Sequence, residues 1–189
     1  IRTCPDDRPI SEVEQEIPSQ LKNSLEVIDG LFTYAFRRDE ILEAVALARR
    51  LVSIDNSSIN CNVQLGSALV RKAAMSRQRS ITIASEEIRT DLTEAIDILT
   101  RALKNEFISS KETISRARYY RAVAYDFTDR ADLAEADFRA AIEYPHIDKA
   151  IYYQFGLSLI RQEKTDEALK MFERASTPNG DIGPDLLRA

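Results

Sequence analysis

Apolar and small residues return along the second half of the chain at a fixed spacing. Tyr119-Tyr120-Arg121-Ala122-Val123-Ala124-Tyr125 recurs as Tyr153-Gln154-Phe155-Gly156-Leu157-Ser158-Leu159, every position displaced by the same interval. Ala134, Phe138 and Ala141 recur at that interval as Ala168, Phe172 and Ala175. Each copy reads as two helices joined by a short polar turn, Thr128-Asp129-Arg130 in one and Glu163-Lys164-Thr165 in the other. In the second helix, Ala-x-x-x-Phe-x-x-Ala puts positions i, i+4 and i+7 on one face. Small residues let the paired helices approach closely, and the Phe plugs the gap between them. Ala122, Ala134, Phe138, Gly156, Ala168 and Phe172 are therefore the predicted helix contacts.

The pattern continues upstream with decay. Ala95, Leu99 and Ala102 repeat the second-helix signature, with Cys61 to Ala74 as its first helix and Leu65-Gly66 at that helix's centre. The stretch from Gly66 to Ala95 is far longer than those from Ala122 to Ala134 and from Gly156 to Ala168, which are equal. Roughly 17 residues are thus inserted between the two helices of this copy. A further copy has Leu31-Phe32 in its first helix and Ala44, Ala48 and Leu51 in its second. Ala44 precedes Gly66 by the same interval as Ala134 precedes Gly156. Phe32 takes the place of a small residue and Ala48 that of an aromatic, as if the large and small partners had exchanged. The spacing predicts four repeats, about 25–58, 59–108 (with the insertion near 75–87), 115–148 and 149–181.

At a 34-residue period, the small residue midway along the first helix and the Ala…Phe…Ala of the second resemble the tetratricopeptide repeat. Residues 117 to 125, Ala-Arg-Tyr-Tyr-Arg-Ala-Val-Ala-Tyr, are close to a common form of that family's first helix. Aliphatic or tyrosyl residues replace its Trp, and its closing Pro survives only as Pro145 and Pro178. The resemblance implies an all-α solenoid of stacked helix-turn-helix repeats wound into a right-handed superhelix. Its first helices would line a concave groove for an extended peptide or a helix of another protein.

Carried over position by position, the groove-facing residues are Asp29, Thr33 and Phe36, then Asn60, Val63, Gln64, Ser67 and Arg71. Arg116, Tyr119, Tyr120, Val123 and Asp126 follow in the third repeat, and Tyr153, Leu157 and Arg161 in the fourth. Tyr119 and Tyr153 fall on the same face with Arg116 one turn away, the mixture of aromatic and Arg that interface hot spots favour. Packing between adjacent first helices is the other reading of both tyrosines. Chaperone-binding members of the family grip a C-terminal carboxylate with Lys and Asn, then Asn, then Lys and Arg. The matching residues here are Asp29 and Thr33, Gln64, Arg116 and Tyr120, of which only Arg116 fits. The resemblance therefore implies no carboxylate clamp.

Composition narrows the chemistry. The 189 residues hold 26 Lys+Arg against 31 Asp+Glu, a net charge of -5, and no basic block. Sequence-independent nucleic-acid binding, which runs on phosphate neutralisation, is disfavoured. RNA reading by helical repeats is disfavoured too, because no regular base-reading pair recurs. Gly (5) and Pro (6) are scarce, as long helices require. No run approaches the length of a membrane span. Cys4 and Cys61 give no disulfide framework and read as reduced thiols of a cytoplasmic protein, with a periplasmic or extracellular site left open. His146, the only histidine, lies in a turn without a recognisable nucleophile. There is no metal-ligand motif and no Gly-rich phosphate loop, so neither an enzyme, a cofactor, a metal nor a small-molecule substrate is expected. Asn56-Ser57-Ser58 matches a glycosylation acceptor, a triplet common by chance.

Residues 1–18 hold Pro5, Pro9 and Pro18 and many charges, and read as an N-terminal arm before the domain at 19–189. Thr177-Pro178-Asn179-Gly180-Asp181 is a stop signal. Pro184 to Ala189 reads as the first turns of a further helix, cut off or serving as a short C-terminal cap. Beginning at Ile1 rather than Met, the chain reads as part of a longer polypeptide. The insertion contains or borders Arg71, Lys72, Arg77 and Arg79. Either both helices are simply longer, with cations suiting the end of the first and Ser85-Glu86-Glu87 starting the second, or a projecting basic tip at Arg77 and Arg79 holds an acidic partner. Two functions follow. One is a scaffold or adaptor that holds a peptide or helix of a partner protein. The other is a structural or self-associating solenoid of a larger protein, homo-oligomeric in the latter case, with no free ligand.

Overall fold

The computed structural model describes residues 8–79, 85–104, 110–144 and 149–176. His146, Cys4, the stop signal at 177–181 and the cap at 184–189 lie outside these. Among the described residues there are nine helices and no strand: α1 (Ile10–Glu16), α2 (Leu25–Arg37), α3 (Ile41–Ile54), α4 (Ile59–Arg79), α5 (Ser85–Leu103), α6 (Lys111–Phe127), α7 (Ala131–Ala141), α8 (Lys149–Arg161) and α9 (Thr165–Ser176). They fall into two compact units, Ile1–Ile98 and Leu99–Ala189, with the division inside α5.

In the first unit α2 and α3 form a hairpin. Ser24 starts α2 by accepting a hydrogen bond from Val27 N at 3.2 Å, satisfying one of the helix's orphan donors. Ile28, Leu31, Phe32 and Ala35 of α2 are buried, as are Ala44, Leu47, Ala48 and Leu51 of α3. Phe32 and Ala48 are thus both core residues, consistent with an exchange of large and small partners. At the next junction Asp55 Oδ1 accepts from Ser57 N and Ser58 N, both at 3.0 Å. Ser58 Oγ then accepts from Cys61 N at 3.3 Å, turning the chain into α4. The Cys61 thiol is free and buried.

The helices on either side of the insertion are long: α4 has 21 residues and α5 has 19. Lys72 of α4 reaches Glu87 at 2.8 Å and Asp91 at 2.9 Å in α5. Burial lowers the Lys72 pKa, but the hydrogen bonds and charges of Glu87 and Asp91 outweigh it and the net direction is upward. Arg49 of α3 forms a bidentate pair with Glu94 of α5, both contacts at 2.8 Å.

Part of the N-terminal arm is helical. Residues Ile10–Glu16 form a helix with Ile10 buried. Glu40 Oε2 accepts from Ile10 N at 2.9 Å and so caps α1 from the start of α3. Arg50 holds Glu14 at 2.6 Å, and Tyr34 Oη donates to Arg8 O at 2.7 Å. These partners are far apart in sequence, beyond the reach of a local pattern.

In the second unit, α6 pairs with α7 and α8 with α9. Ala122, Ala134, Phe138, Ala141, Phe155 and Ala168 are buried, and Gly156 with them. The Phe138 and Phe155 rings stack 5.2 Å apart, joining the two hairpins. A Cβ on Gly156 would lie 2.6 Å from Cε1 of Phe172, so the glycine is required by the ring packed on it. Phe172 itself is half-buried, short of the full burial expected, with its ring against Gly156 and 5.7 Å from that of the exposed Tyr153.

An ion pair is also built into this core. Asp137, buried on α7, accepts from Arg121 Nε at 2.6 Å and from its Nη2 at 2.8 Å. Arg121 also donates to Thr100 Oγ1 at 3.2 Å, so α5, α6 and α7 share one guanidinium.

Three of the turns between paired helices are the same turn. Asp39, Asp129 and Glu163 have φ of 64°, 59° and 62°. After each, the next N–H returns to a carbonyl of the preceding helix: Glu40 to Ala35 at 3.0 Å, Arg130 to Tyr125 at 2.9 Å and Lys164 to Leu159 at 2.9 Å. A left-handed residue with this 6→1 bond is a Schellman cap, which satisfies an orphan carbonyl and reverses the chain at once.

Candidate functional site

Equivalent positions on the first helices of the hairpins form one patch in each unit. In the first unit the patch lies on α2 and α4. Asp29, Thr33 and Phe36 of α2 are half-buried, and Asn60 at the start of α4 is exposed. Val63 and Ser67 are buried, and their side chains belong to the core. Gln64 is 8% exposed, and its Nε2 donates to Asp29 Oδ1 at 2.5 Å. This fixes the orientation of the carboxamide, since a flipped amide would set oxygen against oxygen. Its Oε1 is buried with no donor among the described residues.

Arg71 is engaged within the unit. Its guanidinium lies 4.4 Å above the Phe36 ring, donates to Phe36 O at 2.8 Å and pairs with Asp39. Cation-π attraction, the negative end of α2 and the turn carboxylate all act on one side chain. Arg77 is exposed on the last turns of α4. The side chain of Arg79 and residues 80–84 lie outside the described residues.

In the second unit the patch lies on α6 and α8. Arg116 is exposed. Tyr119 and Tyr120 are half-buried with ring centroids 4.7 Å apart, and Tyr119 is 6.3 Å from Phe138. Tyr153 repeats the arrangement, its ring 5.7 Å from Phe172, yet remains 51% exposed. Each of Tyr119 and Tyr153 therefore leans on the second-helix Phe of its own hairpin. Val123 is buried and Leu157 half-buried. Asp126 accepts from Ser158 Oγ at 2.8 Å and pairs with Arg161, so both charges are neutralised within the unit.

Sequence reasoning missed Ile160, which is 44% exposed one turn beyond Leu157. Tyr153, Leu157 and Ile160 follow the i, i+4, i+7 spacing and share one face of α8. The signal was present in the spacing but was masked by the family pattern, which weighted charged and aromatic positions. Among the described residues no group of three or more His, Cys, Asp or Glu is placed to hold a metal ion. None of the described helices is long and apolar enough to cross a membrane.

Residues 150–177, spanning most of α8 and all of α9, match the family model for the tetratricopeptide repeat. No curated protein matches the sequence. Among solved structures the chain is similar to a thermophilic tetratricopeptide-repeat protein of Thermus thermophilus. They are 18% identical with a TM-score of 0.66, over 88% of this chain and 77% of that one. It is also similar to MamA of Desulfovibrio magneticus RS-1, from residue 41 to the end, at 13% identity and a TM-score of 0.61 over 87% and 80% of the two chains. A further MamA structure gives 22% identity and a TM-score of 0.58 over 90% and 80%. Identities this low establish the fold alone. Residues 150–177 thus match one repeat of the tetratricopeptide family, and the described helices have the fold of tetratricopeptide-repeat proteins.

Proposed function

We propose that this chain is a protein-interaction scaffold that holds a peptide segment or helix of a partner on the first helices of its hairpins. The observation that carries this reading is the apolar stripe of α8. Tyr153, Leu157 and Ile160 share one helix face, and two of them keep about half of their surface in water. Burying that stripe under a partner recovers about 25 cal/mol for each Å² of apolar surface removed from water. A tyrosine supplies large contact area at low entropic cost, which is why truncated aromatic anchors dominate interface energetics.

Short random peptides displayed on phage and selected on the full chain test the proposal. Tyr153→Ala is expected to weaken an enriched peptide by about 1–2 kcal/mol. Lys111→Ala, an exposed position at the start of α6, is expected to leave binding unchanged. Tyr153 also touches Phe172, so melting temperature is measured on the same variants. A loss of affinity no greater than the loss of stability accounts for would favour a structural or self-associating solenoid instead.

A further inference from the structure

Within the second unit, α7 is covered by the hairpin that follows it. Phe138 stacks on Phe155 of α8 and is 1% exposed, Glu135 holds Lys164 at 2.6 Å, and Arg139 holds Glu167 at 2.5 Å. On α9 the positions that repeat Phe138, Glu135 and Arg139 are Phe172, Leu169 and Glu173. Phe172 is half-buried, Leu169 is 54% exposed and Glu173 is exposed. Where α7 sets a glutamate against its neighbour, α9 turns a leucine to water. A terminal repeat needs a polar outer face, and this face is not polar. The first helices differ in the same way: Tyr119 is half-buried, whereas Tyr153, its repeat on α8, is 51% exposed. The first hairpin is treated otherwise, since α1 packs on it and buries Ile10.

We infer that residues 182–189 of this chain dock on the outer face of α9, over Leu169 and Phe172, in the place that α8 takes on α7. The interval that carries Phe138 to Phe172 also carries Lys149, the first residue of α8, to Gly183. It carries Tyr152 and Tyr153 to Leu186 and Leu187, so the segment brings an apolar pair at the register where α8 packs. Pro184 suits the first turn of a helix, where its missing N–H costs nothing. The charges match as well. Arg139 lies 5.6 Å from the Phe155 ring. Glu173 repeats Arg139 and Ala189 repeats Phe155, so Arg188 arrives beside the position that Glu173 faces. On the scaffold reading above, the docked segment also covers part of Tyr153, and a peptide that takes Tyr153 displaces it.

Hydrogen exchange of the full chain, followed by mass spectrometry, tests the docking. Leu186→Asp combined with Leu187→Asp removes the apolar pair, and exchange in α9 is expected to accelerate at least about threefold while α2 and α3 keep their rates. Leu186→Met with Leu187→Met preserves apolar volume and is expected to leave α9 as in the wild type. Unchanged exchange in α9 after the Asp replacements overturns the inference. So does protection of α9 that rises with protein concentration, the mark of a second copy on this face. The peptide selected above reports on displacement, and its affinity is expected to rise about two- to fivefold when both leucines are Asp. Faster exchange without a gain in affinity supports the docking and overturns the scaffold reading at Tyr153. Should no peptide enrich, the scaffold reading falls while exchange in α9 still decides the docking.

Discussion

At the scale of single residues, three turns adopt a left-handed conformation without using a glycine. Asp39 and Asp129 belong to the residue types that tolerate positive φ through local hydrogen bonding, whereas Glu163, with φ of 62°, does not. Glu163→Gly is therefore expected to stabilise the protein by up to about 1 kcal/mol, the relief of left-handed strain less the entropy glycine loses on folding. Urea denaturation checks it, and a destabilised variant would show that the Glu163 side chain does more than occupy the turn. The opposite change is costly at Gly156. Gly156→Leu must displace the Phe172 ring, which already lies within 2.6 Å of where a Cβ would stand. The expected loss is about 1–3 kcal/mol by the same denaturation, as for other overpacked contacts. These residues also explain what the sequence concealed. A positive-φ turn is obvious when it contains glycine. Here the repeating turn uses two Asp and one Glu, so only its recurrence at equivalent places between paired helices betrays it.

Among the elements, α1 depends most on a single charged group. Glu40 accepts from Ile10 N and from Arg38 Nε, each at 2.9 Å. The hydrogen bond from Ile10 N, followed by that from Arg38, holds the Glu40 carboxyl below the ordinary carboxylate range. Because the folded-state pKa is depressed, this stabilisation is complete above the unfolded value of about 4.3 and is lost as pH falls through the folded value. Hydrogen exchange at Ile10–Glu16 should accelerate on acidification through that window while α2 and α3 keep their protection. Glu40→Gln should accelerate it at neutral pH and remove most of the pH dependence. Equal protection of α1 in both proteins would mean that Arg50–Glu14 and the burial of Ile10 suffice to dock it. Legibility from sequence follows the same division between local and distant contacts. The hairpins α6–α7 and α8–α9 were readable because one fixed spacing repeats every packing position. Helix α1 was not, since a single short segment flanked by prolines becomes a helix only through partners distant in sequence. Arg71 carried the chemistry of a groove residue in the sequence, and its contacts with Phe36 and Asp39 are visible only in the structure. The burial of Gln64 and its hydrogen bond to Asp29 likewise appear only once α2 stands opposite α4.

For the whole molecule, the division at Ile98–Leu99 has an energetic consequence. In repeat proteins stability is close to a sum over repeats and their nearest neighbours, so a lesion need not spread through the chain. Asp137 offers a severe and well-placed lesion. Its side chain is 6% exposed, that of Arg121 is 16% exposed, and Arg118 lies 3.9 Å away on the same carboxylate. Asp137→Ala would remove the carboxylate to which the largely buried Arg121 guanidinium donates twice. Removing one partner of a buried pair costs about 3–5 kcal/mol, far more than the pair contributes over an apolar replacement. Hydrogen exchange followed by mass spectrometry should then show faster exchange through α6, α7, α8 and α9. Peptides from α2 and α3 should keep their wild-type rates, since none of the contacts described for those helices includes Asp137. Replacing Arg121 and Asp137 together by Met and Leu should restore most of the protection, because apolar groups of similar size remove both members of the bidentate pair at once. If α2 and α3 lose protection in step with α6 to α9, the two units unfold as one cooperative block and local repeat energetics do not describe this chain. If the double replacement fails to recover what Asp137→Ala loses, geometry rather than the ion pair with Arg121 is what Asp137 contributes.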